Sequence, residues 1–71
     1  MSKFMRIEKE ENEDGVEYNI FNIKTGEYLG FIEYDTGWKK WVFSPDEMTY
    51  YDVTCLKDII QYLEDAKNGS I

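Results

Sequence analysis

Three tripeptides, Glu13-Asp14-Gly15, Lys24-Thr25-Gly26 and Asp35-Thr36-Gly37, constrain this chain more than any other feature. Each ends in glycine and stands between runs rich in β-branched and aromatic residues, the pattern of antiparallel hairpins. The runs are 4–10 (F-M-R-I-E-K-E), 16–23 (V-E-Y-N-I-F-N-I), 28–34 (Y-L-G-F-I-E-Y) and 38–43 (W-K-K-W-V-F). Each tripeptide fits a three-residue loop, a type I turn followed by a left-handed glycine as a bulge. Four strands joined this way form an antiparallel meander. Pro45 has no N–H to donate and is expected to end the pairing. Residues 44–53 then form a connection, either bare or with a short extended piece at 49–52.

Loop length sets register, and register decides which side chains share a face. Three-residue loops place Tyr34 opposite Trp38, Phe31 opposite Trp41, Phe21 opposite Leu29, Tyr18 opposite Ile32 and Ile7 opposite Phe21. One face then carries Met5, Ile7, Phe21, Ile23, Leu29, Phe31, Trp41 and Phe43. The other carries Tyr18, Ile20, Tyr28, Ile32, Tyr34, Trp38 and Val42, mixed with Arg6, Glu8, Asn22 and Lys40. A two-residue loop at 14–15 would set Ile7 against Asn22, a poorer pairing.

The sequence changes period at Thr54–Gly69. Leu56, Ile59, Ile60 and Leu63 fall at i, i+3, i+4, i+7, with Cys55 and Ala66 at the margins. Thr54 is the expected N-cap and Gly69 the expected left-handed stop. A helix over about 55–67 is marginal alone in water, so its stripe must pack on the sheet. The expected fold is therefore α+β: a four-stranded antiparallel meander with one C-terminal helix on one face, ββββα, as a single domain over 1–71. A helix about 20 Å long covers two or three strands at about 4.8 Å spacing, which leaves the second face partly in water.

That open face is the first functional lead. Tyr18, Ile32, Tyr34 and Trp38, with Lys40, are the expected partner-binding residues, because Tyr and Trp give stiff contact area with a polar tip. The occupant is a protein partner or a second copy of the chain. In the competing reading these aromatics pair across strands and are shielded by Lys40, Arg6 and Glu8.

Charge supplies the second lead. Fifteen acids against eight bases give a formal charge of −7, which argues against phosphate-backbone binding as the main activity. Glu8, Glu10, Glu11, Glu13, Asp14 and Glu17 cluster on one hairpin and form the expected acidic surface. An acidic nucleic-acid mimic, an inhibitor of the anti-restriction or anti-CRISPR type, would present such carboxylates to a basic groove. The alternative is a solvated tip that discourages edge-to-edge aggregation. The strand-and-helix order is also similar in topology to the PC4-like (positive-cofactor-4) single-stranded DNA-binding proteins, and W-K-K-W at 38–41 sets base beside aromatic. That likeness implies a nucleic-acid-binding sheet, but Arg6, Lys39 and Lys40 are a thin basic footprint, and direct nucleic-acid binding ranks below the other readings.

Other classes find less in the residues. Glu10, Asn12, Asp14 and Gly15 match the opening of a calcium-binding EF-hand loop, yet Phe21 stands where the bidentate acid belongs. With no histidine, the common general base near neutral pH is missing, and Cys55 has no partner to activate it. The chain is read as a non-enzyme with no cofactor and no metal. A lone cysteine, the lack of a signal-like leader and the lack of an 18-residue apolar run suit a cytoplasmic protein that does not enter membranes.

Overall fold

The computed structural model describes residues 4–71, so the first three residues of the expected domain lie outside it. Four strands run in chain order: β1 (Met5–Asn12), β2 (Gly15–Asn22), β3 (Tyr28–Asp35) and β4 (Lys40–Pro45), followed by α1 (Val53–Asn68). All neighbours are antiparallel and the sheet order is β1-β2-β3-β4. This is the expected ββββα meander. Residues 46–52 contribute no strand, and Pro45 ends β4 from inside it.

None of the three loops has three residues between its closing pair. Asn12 pairs with Gly15, leaving Glu13 and Asp14 as a two-residue loop in which Asn12 Oδ1 accepts from the Asp14 N–H at 2.9 Å. Asn22 Oδ1 accepts from the N–H groups of Lys24 (2.9 Å) and Thr25 (3.1 Å), and its backbone bonds to Gly26 and Glu27. Asp35 Oδ1 accepts from Gly37 (2.8 Å) and Trp38 (3.1 Å), and its carbonyl accepts from the Lys39 N–H. That helical-type turn needs four residues, 36–39, and its left-handed position falls on Lys39 (φ 59°) instead of Gly37. Trp38 and Lys39 therefore lie in the loop, and β4 starts two residues later than expected.

The consequence is an exchange of faces. In the first hairpin Ile7 pairs with Ile20 and Met5 with Asn22. In the third, Tyr34 pairs with Trp41 and Ile32 with Phe43. Both registers differ from expectation by an odd number of residues, and side chains alternate along a strand, so faces are exchanged. Between β2 and β3 the expected Tyr18–Ile32 pairing holds, but a bulge at Leu29 lets Phe21 oppose Tyr28. The bulge needs Gly30: its φ is +145°, and a Cβ there would stand 2.3 Å from the Ser44 carbonyl oxygen.

The core is Met5, Tyr18, Ile20, Leu29 and Ile32 from the sheet against Ile59, Tyr62 and Ala66 from the helix. Leu29 and Ile32 both reach it because the bulge breaks the two-residue period. Buried phenols bond to backbone carbonyls far along the chain: Tyr62 donates to Met5 (3.1 Å) and Tyr18 to Ile71 (2.8 Å). These bonds let tyrosines serve as core residues without leaving a polar group unpaired.

The helix begins earlier than expected. Asp52, not Thr54, is the N-cap, its carboxylate accepting from the Cys55 N–H at 2.8 Å. Gly69 ends the helix in the left-handed conformation (φ 73°), as expected. The buried arc runs Cys55, Ile59, Tyr62 and Ala66, while Leu56 and Ile60 stay exposed. No helix among the described residues is long and apolar enough to cross a membrane.

Candidate functional site

The structure divides the five expected partner-binding residues. Tyr18 and Ile32 are buried beneath the helix and offer no surface, because the shifted registers turn them to the core. Tyr34 remains 47% exposed and Trp38 72% exposed, Trp38 in the 36–39 loop and Tyr34 edge-on to Trp41 with ring centroids 5.8 Å apart. Lys40 is exposed and closes that hairpin opposite Asp35. These three do not form the continuous face expected of them.

The face left without a helix takes Phe21 and Phe31, expected in the core, beside Tyr28 and Val42, expected on the open face. Phe21, Tyr28, Phe31 and Val42 lie on it, half-buried by one another and by long neighbours. Phe21 and Tyr28 rings pack at 5.6 Å, and the Arg6 guanidinium lies over Phe21 at 4.5 Å from the ring centre. Arg6 also bonds Glu8 at 3.1 Å. Tyr28 Oη donates to Asn19 Oδ1 at 3.5 Å, and Asn19 Nδ2 donates to Glu10 at 3.1 Å.

Beside this aromatic strip runs a row of carboxylates. Glu10 pairs with Glu17, and Glu17 pairs in turn with Glu33, so three adjacent strands set glutamates directly opposite one another. Like charges in facing positions are destabilising in a sheet. Glu8, one pleat along β1, extends the acidic side. Of the expected acidic surface, Glu8, Glu10 and Glu17 thus share the open face, Glu11 points to the other side and bonds Lys9 (3.3 Å), and Glu13 and Asp14 form the loop tip. Glu33 was not among the expected acidic residues. Its signal was present: it falls at the Glu17 position of the same expected β2–β3 register.

Ionisation follows this geometry. Burial first, then the nearby carboxylates of Glu17, Asp46 and Glu10, raise the Tyr28 phenol above its ordinary value. Burial, followed by the Asp52 side chain, raises the Cys55 thiol, which favours the protonated form. The Asp52 carboxyl is lowered by the N–H groups of the first helical turn, led by Cys55. No group of three or more His, Cys, Asp or Glu able to hold a metal ion occurs among the described residues.

No protein-family model matches this chain, and neither a curated protein nor a solved structure is found similar to it.

Proposed function

We propose that this chain is a non-catalytic protein-interaction module that binds a basic segment of a protein partner on its open sheet face. The observation that supports it is the Glu10–Glu17–Glu33 row lying beside the Phe21–Tyr28–Phe31 strip. Facing glutamates work against the fold, so a cationic partner that relieves them gains from the pairing. The aromatics supply apolar contact that carboxylates alone lack, and Tyr and Phe are frequent interface anchors. A partner that alternates Lys or Arg with apolar residues matches both features.

Titration calorimetry with a Lys/apolar-alternating peptide tests the reading. Phe31→Ala and Glu33→Gln are each expected to weaken binding at least tenfold, and Trp38→Ala to leave it unchanged. Unchanged binding in the first two variants would remove the open face from contention.

A second reading, the acidic nucleic-acid mimic, is favoured by the exposed acids of the adjoining loop tip, Glu13 and Asp14. It calls for a partner that is itself a nucleic-acid-binding enzyme and for affinity that collapses between low and high salt. A complex held by the aromatic strip keeps most of its affinity at high salt.

A further inference from the structure

The helix carries two apolar stripes, and the sheet uses one. Cys55, Ile59, Tyr62 and Ala66 face the core. About a third of a turn further round the helix, Val53 is 67% exposed, Leu56 45% and Ile60 53%. These three continue to Leu63, which is half-buried against the core, with successive spacings of three, four and three residues, the a/d spacing of a coiled-coil seam. Three large apolar side chains in one exposed line on a 16-residue helix are unusual for a surface with no partner.

The flanking charges say what the partner is. In that heptad, Lys57 and Glu64 occupy successive e positions, seven residues apart, while the g positions Ile59 and Ala66 belong to the core. In a parallel pair, e side chains meet g side chains, and here the g positions are already buried. In an antiparallel pair, e meets e across a two-fold axis. That axis sets Lys57 of each copy beside Glu64 of the other, so the charges complement themselves twice. A surface whose charges match their own two-fold image is suited to an isologous dimer.

We infer that this chain self-associates through an antiparallel pairing of its α1 helices, with Val53, Leu56 and Ile60 forming the exposed seam, Leu63 bordering it from the core, and Lys57 and Glu64 the reciprocal ion pairs. The pairing uses a flank of the helix on the covered side of the sheet, so each copy keeps the glutamate row and aromatic strip of its open face free. The inference is independent of what binds there. Its functional meaning is bivalency: two open faces in one particle bind a repeated partner more tightly than one face does.

Light scattering of the whole chain across a concentration series, joined to a charge-swap cycle, tests the pairing. The wild type is expected to pass from monomer to dimer as concentration rises into the high micromolar range. Ile60→Glu should abolish dimerisation while leaving the circular dichroism spectrum and melting profile of the monomer intact, since the side chain lies outside the core. Lys57→Glu and Glu64→Lys should each weaken the dimer about tenfold by turning two attractive contacts repulsive. The double variant Lys57→Glu/Glu64→Lys should restore it. A wild type that stays monomeric at millimolar concentration would overturn the inference and hand the stripe to a different chain. A dimer that ignores Ile60→Glu, or a double variant as weak as the singles, would overturn it as well.

Discussion

The two faces of the sheet are made of similar residues and hold opposite roles. The covered face has Tyr18, Ile20 and Ile32; the open face has Phe21, Tyr28, Phe31 and Val42. Hydrophobicity alone does not separate them. What separates them is how polar groups are satisfied and where charge accumulates. Under the helix, each buried phenol finds a backbone carbonyl, and no buried side-chain polar atom among the described residues lacks a partner. On the open face the polar groups form a looser chain of side chains, and three glutamates face one another. The first arrangement suits stability, and the second tolerates a local cost of the kind expected where a surface serves binding.

The contrast is sharpest at neighbouring residues of β3. Ile32→Ala should lower unfolding free energy by about 2–5 kcal/mol, because it opens a cavity at a fully buried site. Phe31→Ala, on the other face, should lower it by under about 1 kcal/mol. Chemical denaturation of the two variants checks the pair. Equal losses would mean that the open face is as structural as the covered one.

Gly30→Ala asks whether the bulge keeps the faces apart. Its added Cβ meets the Ser44 carbonyl, and its φ of +145° is foreign to L side chains. A loss of about 2–3 kcal/mol is expected, with altered amide shifts centred on Leu29, Ser44 and Pro45 in heteronuclear NMR. A silent substitution would show that the bulge is dispensable.

A smaller effect of opposite sign is expected from Glu17→Gln. Removing the central charge of the glutamate row should raise stability by a few tenths of a kcal/mol and weaken binding of a basic partner. Thermal melting beside titration calorimetry measures both. A variant that loses stability would contradict the account of a strained row.

The smallest effect belongs to the helix cap and appears through pH. The folded-state pKa of Asp52 lies below its ordinary value, so its contribution is whole above the ordinary carboxylate pKa. That contribution is lost as pH falls through the lowered folded-state pKa. Asp52→Asn keeps a capping oxygen without the charge, so it should lower stability slightly at pH 7 and leave it unchanged in acid, which flattens the acid limb of the stability–pH curve. An unchanged acid limb would assign the pH dependence to other carboxylates.

Much of this was readable from the chain, and the errors have one physical origin. The turn positions, the four strands, the helix and its Gly69 stop all follow from local chemistry, and so they were legible. Reading loop lengths from the glycines puts Tyr18, Ile32, Phe21 and Phe31 on the wrong faces. The loops answer instead to Asn12, Asn22 and Asp35, whose side-chain oxygens accept from N–H groups two and three residues on. The helix shows the same limit. Leu56 and Ile60 made one apolar arc with Ile59 and Leu63, and Cys55, Ile59, Tyr62 and Ala66 made another. Helical periodicity ranks two such arcs only weakly.

By itself, then, the sequence determined which elements form, in what order and where each turns, because those choices rest on interactions between residues close in the chain. The tertiary structure alone decided which face of the sheet meets the helix and which arc of the helix meets the sheet. An odd change in register exchanges every side chain between faces. The balance is struck by what each face can bury with its polar groups satisfied. Tyr62 could join the core because its hydroxyl reaches the Met5 carbonyl, and Tyr18 because its hydroxyl reaches Ile71, contacts that exist only once the chain has closed.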